Sequence, residues 1–371
     1  MTILFRTLAA LSFPALLLAC NPVPDTGTAV GLSDPGASPM AGKLYQNLRD
    51  LSGKHVMVGH QDALAYGMGW KGEAFRTDIH DVLGDHPAVF GWDLGHMGDS
   101  VNIDGVPFED MRSWAIKVHE KGGVNTCSWH MRNYAVSGTS WDRDSCVEAC
   151  LPGGKMHELY LERLDQAAAF FSAIRDEKGE LIPVIFRPFH EMTGSWFWWG
   201  KGNCSAQQYK DLFRFTIDYL RNKGMHQLII AYSTDRFRNA EQYLECYPGD
   251  DYVDVMAFDD YHGLASREGT PGTIHMLEIL DSISTAHDKL MAISETGLET
   301  IPNHKWFTDV VLHTLNSNQS TRKAAWILLW RNGRPDHFYA PHPGHPVVPD
   351  FMEFMDHELM LSLSELPDLY H

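Results

Sequence analysis

Eight short apolar segments recur along this chain of 371 residues, and most of them end in polar or potentially catalytic side chains. Continuous apolar runs are typical of parallel strands that helices cover on both faces, whereas half-exposed strands alternate apolar and polar residues. The predicted strands span residues 54–62, 86–95, 122–130, 181–191, 226–235, 251–262, 289–297 and 324–332. Between them, residues 107–121, 155–178, 205–223 and 270–289 carry apolar side chains three and four positions apart, which predicts helices.

This succession of strands and helices predicts an α/β fold, a (β/α)8 TIM barrel that forms a single catalytic domain over residues 40–371. An open, doubly wound sheet is the alternative architecture. A proline-rich stretch, 341–349, precedes a final helix that we expect near residues 351–363, packed on the outside of the barrel.

The first 20 residues have the features of a lipoprotein signal peptide. Arg6 supplies a positive charge, residues 8–18 are apolar, and residues 17–20 read Leu-Leu-Ala-Cys, a lipobox in which Cys20 would be lipidated. The alternative is an ordinary secretory signal that is cleaved nearby. Residues 21–39 are rich in Pro, Gly, Ser and Thr, which predicts a flexible tether. We therefore expect an exported lipoprotein anchored in the outer membrane of a Gram-negative bacterium.

The charge of the chain limits its partners. Its formal net charge is −18, and its 30 basic residues are scattered along the sequence. Phosphate backbones require clustered Lys and Arg, so a nucleic-acid partner is excluded, whereas a neutral polysaccharide is compatible with this charge. We expect the protein to be a monomer.

Five cysteines remain after Cys20, namely Cys127, Cys146, Cys150, Cys204 and Cys246. Because five is an odd number, at least one of them stays a free thiol. Cys127 lies in an apolar run and is expected to be buried. A disulfide among the other four is compatible with export, but the sequence leaves the pairing open.

The segment 187–200 combines an acidic residue with aromatic side chains. Glu191 closes the fourth apolar run, and Trp196 follows it within a cluster of four aromatic residues. Sugar rings stack their C–H faces on aromatic rings, and cleavage of a glycosidic bond needs a carboxyl group that protonates the leaving oxygen. Glu295 closes the seventh run and is the candidate for the second carboxyl group that this chemistry requires.

Several motifs resemble those of glycoside hydrolase family 26, the retaining β-mannanases of clan A, over residues 44–332. They are Gly59-His60-Gln61-Asp62, Pro87-Ala88-Val89-Phe90-Gly91-Trp92-Asp93, Ser128-Trp129-His130, the segment 187–199, the segment 247–254 and Ser294-Glu295-Thr296-Gly297. The residue before the acid/base glutamate is usually Asn in clan A, and His190 stands there in this chain, as it does in the family.

The resemblance implies a (β/α)8 hydrolase that cleaves β-1,4-mannosidic linkages in mannan, galactomannan, glucomannan or manno-oligosaccharides with retention of configuration. Glu191 would be the acid/base and Glu295 the nucleophile. The remaining implied site residues contact the sugar or orient the nucleophile: His130 and His190 at the cleavage site, Trp196 as an aromatic wall, Tyr261 beside Glu295, and Trp330 as a stacking floor.

Strand alternation adds one residue to this site and raises one conflict. Arg187 lies four residues before Glu191, so both point into the barrel, and Arg187 is placed to hold a carboxylate ionised. Strict alternation would turn His190 outward, so we expect the strand to end or bulge at Phe189. Further candidates for outer sugar subsites are Asp93, Trp141 and Asp142, and for Trp141 simple loop packing is the alternative.

Other chemistries are less compatible with the sequence. No two of the 20 histidines are separated by a single residue, so the His-x-His pair of barrel metallohydrolases is missing, and Gly-x-Ser-x-Gly is missing too. We therefore expect neither a metal nor any other cofactor. Two alternatives stay open: the same mechanism on lichenan or β-1,3-xylan, and a surface lipoprotein that binds glycans without cleaving them. The sequence does not distinguish endo from exo cleavage.

The predicted anchor leads to a simple test. Replacing Cys20 by Ser removes the acceptor of the lipid, so Cys20→Ser should move the protein from the membrane fraction to the soluble fraction of its native host without changing its specific activity. Native protein that is already soluble would show ordinary signal cleavage.

Overall fold

A computed structural model describes residues 31–371 and contains a closed barrel of eight parallel strands. The strands are β1 Val56–Gln61, β2 Val89–Asp93, β3 Val124–Trp129, β4 Val184–Pro188, β5 Leu228–Thr234, β6 Val255–Asp259, β7 Leu290–Thr296 and β8 Ala324–Leu329. Each strand pairs with its neighbour in the sequence, and β8 pairs with β1 to close the barrel. The predicted (β/α)8 fold is confirmed, and every predicted strand contains an observed one.

Helices cover the barrel and also close one end of it. They are α1 Pro39–Leu51, α2 Asp78–Leu83, α3 Phe108–Glu120, α4 Val147–Cys150, α5 His157–Ser172, α6 Ala206–Asn222, α7 Ala240–Leu244, α8 Thr270–Ala286, α9 His313–Leu315 and α10 Val348–Met355. The start of α6 is set by a capping box, because the Ser205 hydroxyl accepts from the Gln208 N–H while the Gln208 side chain accepts from the Ser205 N–H.

The apolar core has two layers. Ile185 and Ala257 belong to a cluster inside the barrel, whereas Phe186 on the next position of β4 belongs to the cluster between strands and outer helices. Leu44 and Tyr45 of α1 join the interior cluster, so α1 closes the amino-terminal end of the barrel. The opposite end, where the strands finish in polar residues, is left for a site.

The predicted end of the tether at residue 39 needs correction, because residues 33–38 pack against the closed end of the barrel. The buried carboxylate of Asp254 accepts from the Ser33 N–H at 2.5 Å and from the Ile230 N–H at 2.6 Å. Asp34 faces His226 at 2.8 Å. Polar residues of segment 33–38 make specific hydrogen bonds to the barrel, and amino-acid composition alone does not predict such hydrogen bonds. The signal peptide, Cys20 and residues 21–30 lie outside the described residues.

Two other details differ from expectation or add to it. The last helix ends at Met355, and Met360–Leu361 then forms a short parallel strand beside β1, so the predicted helix over 351–363 is wrong beyond its first turns.

The Gly-x-Gly-x-x-Gly pattern at 67–72 belongs to a two-stranded hairpin, Tyr66–Gly67 with Trp70–Lys71. It does not join a strand to a helix as in a dinucleotide-binding fold.

All five cysteines of the described residues are free thiols. Cys127 is buried, as expected, and the Sγ atoms of Cys146 and Cys150 lie 3.5 Å apart. Within residues 31–371, no helix combines the length and the apolar character that a membrane span requires.

Candidate active site

Three carboxylates meet at the open end of the barrel. Oxygen atoms of Glu191, Asp259 and Glu295 all lie within 4.8 Å of one another. Glu295 lies in β7 and Asp259 ends β6, whereas Glu191 comes from the loop that follows β4. Retaining glycosidases place their two carboxyl groups about 5–5.5 Å apart, so the separation of Glu191 and Glu295 fits retention and not inversion.

Glu191 reaches this position because the chain turns sharply after β4. The strand ends at Pro188, as expected, and both Phe189 and Glu191 adopt positive φ values of 52° and 56°. A bulky residue in this conformation is strained, and the surroundings must hold it there. The carbonyl of Phe189 accepts from Tyr209, the carbonyl of His190 accepts from Trp199, and the Glu191 N–H donates to the Ser233 carbonyl at 2.9 Å.

Glu295 accepts hydrogen bonds from two donors that favour its ionised form. The Arg187 guanidinium donates to its Oε1, and the Tyr261 hydroxyl donates to its Oε2 at 3.1 Å. Burial raises the pKa of Glu295 to about 7, and the charge of Arg187 acts in the opposite direction. Arg187 and Tyr261 therefore both contact Glu295, the nucleophile candidate.

Arg187 is buried and also donates to Asp259 at 3.0 Å. Its guanidinium pairs with two carboxylates, as expected, and is too buried to contact a sugar directly. Asp259 in turn accepts from the hydroxyls of Ser294 and Ser233 at 2.7 and 3.2 Å. Asp259 is not among the candidates from the sequence, where its only signal is its place in the sixth apolar run. Its pairing with Arg187 joins β4 and β6, which lie on either side of β5 in the barrel.

Glu191 has the opposite environment. The Trp196 indole N–H donates to its Oε2 at 2.6 Å, and no cation contacts it among the described residues. Burial and the nearby Asp259 and Glu295 carboxylates raise its pKa well above the usual range of a glutamate. Of the two carboxyl groups, Glu191 therefore retains a proton while Glu295, beside Arg187, is the one that ionises.

His130 and His190 form a contact pair beside these carboxylates. Their Nε2 atoms lie 3.2 Å apart, and the Nδ1 of His130 lies 2.7 Å from Oδ2 of Asp93. His190 is completely buried, whereas His130 is 7% exposed, so His130 is the member of the pair that faces the cleft.

Asp93 does not form an outer subsite, contrary to our expectation. It is completely buried, and its oxygens accept from Ser128, Gly95 and His130. Asp142 follows Trp141 in the loop between β3 and α4. Its carboxylate accepts hydrogen bonds from the N–H and the hydroxyl of Thr139 and so closes a local turn. Both residues were chosen because of their positions at strand ends or beside an aromatic residue, and neither position reveals which partner the carboxylate binds.

Aromatic rings form the walls of the cleft. Trp196 and Trp141 are 36% and 50% exposed, and Trp141 stacks on the His130 ring with centroids 5.4 Å apart. Trp330 lies on the other side of His130, at 6.0 Å between ring centroids. Trp141 therefore lies beside the histidine pair with half of its surface exposed, and its contact with a sugar stays a prediction. Phe197, which we did not single out, packs against both histidines and Trp141.

The carboxylate cluster has the spacing of a metal site, but its charges do not fit one. Arg187 already ion-pairs with both Glu295 and Asp259. A divalent cation among the same oxygens would have to displace or repel this buried guanidinium.

Comparisons with known proteins agree with this geometry. Residues 33–285 match the model of the family described as Glycosyl hydrolase family 26. A solved GH26 β-mannanase from Bacteroides ovatus is 39% identical, with a TM-score of 0.86 over 90% of this chain and 98% of that one. A modular endo-β-1,4-mannanase from Cellulomonas fimi is 30% identical, with the same TM-score over 92% of this chain and 79% of that one.

A mannan endo-1,4-β-mannosidase from Bifidobacterium adolescentis is 30% identical over 366 residues, which is 91% of this chain but only 36% of the relative. The chain thus spans about a third of the length of this relative. The residues matched by the family model include strands β1 to β6 and Glu191, whereas β7 with Glu295, and β8, lie beyond residue 285. The chain belongs to glycosyl hydrolase family 26.

Proposed function

We propose that this chain is a retaining β-mannanase that hydrolyses β-1,4-mannosidic linkages in mannan, galactomannan or glucomannan. The observation that carries the proposal is the pair of carboxyl groups, Glu191 and Glu295, close together in an aromatic cleft but with opposite electrostatic surroundings. The similar proteins from Bacteroides ovatus, Cellulomonas fimi and Bifidobacterium adolescentis are all named as mannanases or mannosidases, which supports this substrate class.

In the first step, Glu295 attacks the anomeric carbon of the sugar, and Glu191 transfers its proton to the glycosidic oxygen as that bond breaks. The attacking oxygen of Glu295 must be negatively charged, and Arg187 and Tyr261 stabilise that charge. The product of this step is a covalent glycosyl ester on Glu295, with the leaving sugar released.

In the second step, the same glutamate acts as a base. Esterification removes the charge of Glu295, which had helped to raise the pKa of Glu191, so Glu191 can now hold a negative charge. Glu191 takes a proton from water as the water attacks the anomeric carbon, and the free Glu295 carboxylate is restored. These two steps require no cofactor.

The aromatic residues bind the sugar rings. Trp196 and Trp141 expose indole faces on which the apolar faces of a mannose ring can stack, and Trp330 lies next to His130 at the centre of the cleft. Trp196 has a second role, because its N–H fixes the orientation of the Glu191 carboxyl group.

We further propose that the protein acts as a monomer held at the outer membrane through lipidated Cys20. This proposal rests on the lipobox in the sequence, with residues 21–30 as the tether.

The roles of the two glutamates can be separated with an activated aryl β-mannobioside, whose leaving group needs no proton. Glu191→Ala should form the glycosyl-enzyme rapidly and then stall, and added azide should restore turnover with a β-configured azide product. Glu295→Ala should lose several orders of magnitude in kcat, with no azide rescue of that kind. Glu299→Ala, which removes an exposed glutamate four residues away, serves as the control and should keep normal activity.

An α-configured azide product from Glu191→Ala would show inversion and would contradict the mechanism. Activity of Glu295→Ala within about tenfold of the native enzyme would assign the nucleophile to another residue.

Substrate class is tested with linear mannan, galactomannan, glucomannan, lichenan and xylan. Mannose differs from glucose in its axial 2-hydroxyl, and a site that hydrogen-bonds a hydroxyl can discriminate by up to about 10⁴-fold. We expect much higher kcat/KM on β-1,4-mannan than on lichenan or xylan, and chromatography of the early products distinguishes endo from exo cleavage. Equal cleavage of lichenan would refute the substrate assignment but not the two-glutamate mechanism.

The pH profile tests the contact between Trp196 and Glu191. Burial raises the pKa of Glu191, and the indole N–H opposes this by stabilising the carboxylate. Trp196→Phe removes that hydrogen bond, so the pKa of Glu191 should rise and the high-pH limb of kcat/KM should move to higher pH. Trp141→Phe should lower activity without moving this limb. A limb that stays in place in Trp196→Phe would show that Glu191 does not control it.

A further inference from the structure

Asp93 is a buried charge that the proposed mechanism does not use. It ends β2, is completely buried, and accepts hydrogen bonds from the Ser128 hydroxyl and the Gly95 N–H, each at 2.6 Å, and from the His130 N–H at 3.2 Å. Burial opposes ionisation, but His130 and these donors hold the pKa of Asp93 below its usual value. The group that can pair with this buried carboxylate as a cation is the imidazole of His130, 2.7 Å away.

The geometry assigns the protons of the histidine pair. The Nδ1–H of His130 donates to Asp93 at 2.7 Å, and the two Nε2 atoms 3.2 Å apart require one proton between them. Burial, Arg187 and His130 lower the pKa of His190 well below its usual value. Burial also opposes a charge on His130, but Asp93, together with Glu295 and Asp104, raises the pKa of His130 above its usual value. We assign the positive charge to His130, whose Nε2–H then donates to His190 and leaves the proton of His190 on Nδ1.

The charged His130 has further neighbours on other elements. Glu295 of β7 and Asp104 of the loop after β2 favour the charged form of His130, as Asp93 does. The neutral His190 accepts a hydrogen bond from the Nε2–H of His130. The Asp93 and His130 pair carries no net charge. However, its positive end lies nearer the cleft, because His130 is partly exposed and Asp93 is not.

Glu295 needs such a second cation. Its other neighbours are Arg187, Asp259, Tyr261 and Glu191, and Arg187 is shared with the Asp259 carboxylate. One guanidinium thus serves two carboxylates, while Asp259 and Glu191 both disfavour a charge on Glu295. A positive charge on His130 also favours the ionised form of Glu295.

We propose that Asp93 is a positioning residue that keeps His130 protonated, so that His130 and Arg187 together hold the nucleophile Glu295 ionised. This inference rests on the proposed function for the role of Glu295. The link between Asp93 and His130 stands on the hydrogen bonds alone.

The variant Asp93→Asn tests the proposal because asparagine has almost the same shape but no charge. His130 should lose its proton at a pH at least about one unit lower, and the low-pH limb of kcat/KM, which reports ionisation of Glu295, should move to higher pH. One unit corresponds to a loss of about tenfold in kcat/KM below that limb, with little loss above it. A merely structural role would lower activity at all pH values and leave the limb in place.

Two measurements make the test complete. Nitrogen-15 NMR of histidine-labelled protein, with the His130 signals assigned by their loss in His130→Gln, gives the His130 titration without any need for activity. The pH profile of aryl β-mannobioside hydrolysis gives the ionisation of Glu295. Asp254→Asn is the matched control, because Asp254 is equally buried but lies at the closed end of the barrel, and it should change neither measurement.

Each outcome decides the proposal. A native His130 that titrates below its ordinary value of about 6.5 would overturn it, even if Asp93→Asn failed to fold. A low-pH limb that stays in place in folded Asp93→Asn would also overturn it. The double variant Asp93→Asn/His130→Gln should shift the limb no further than His130→Gln alone. If the native enzyme cleaved no β-mannan, the proposed function would fail, while the NMR titration would still decide the Asp93 and His130 link.

Discussion

The site depends on one buried cation, the Arg187 guanidinium inside the mouth of the barrel. A charge in that position is tolerated only when it is paired, and Asp259 and Glu295 provide the pairing. This single interaction draws together side chains from β4, β6 and β7 and gives the two glutamates different surroundings. Glu295 lies against the cation, whereas the carboxyl group of Glu191, within residues 31–371, accepts a hydrogen bond only from an indole N–H. The difference in chemistry between two identical side chains follows from this arrangement.

The second constraint is the backbone after β4. Phe189 and Glu191 adopt left-handed conformations that cost on the order of 1–3 kcal/mol each. The ring of Phe189 packs against Trp198, Trp199 and Tyr209, which stabilise the turn. Strain is thus held at the segment that brings the acid/base candidate opposite the nucleophile candidate, while its neighbour His190 turns inward to contact His130 instead of outward to the helices.

The two ends of the barrel differ in structure: one is covered, and the other forms the cleft. At the closed end, α1 and residues 33–38 cover the strand starts, and the carboxylate of Asp254 satisfies backbone N–H groups. At the open end, carboxylates, histidines and exposed tryptophans surround a cleft. Buried aspartates occur at both ends: Asp254 accepts from backbone N–H groups at the closed end, whereas Asp93 contacts His130 at the open end.

The sequence by itself determined the barrel, because continuous apolar runs and helical periodicity are local properties of the chain. It also placed Glu191, Glu295, Trp196 and the break at Phe189, since each lies at the end of a predicted strand or directly after it. Only the tertiary structure decided what each polar group binds. That Arg187 pairs with Asp259, that Asp93 lies behind His130, and that residues 33–38 pack on the closed end all depend on contacts between residues far apart in sequence. Spacing along a chain predicts which face a side chain occupies, but the charge and hydrogen-bond partners on that face come from other strands.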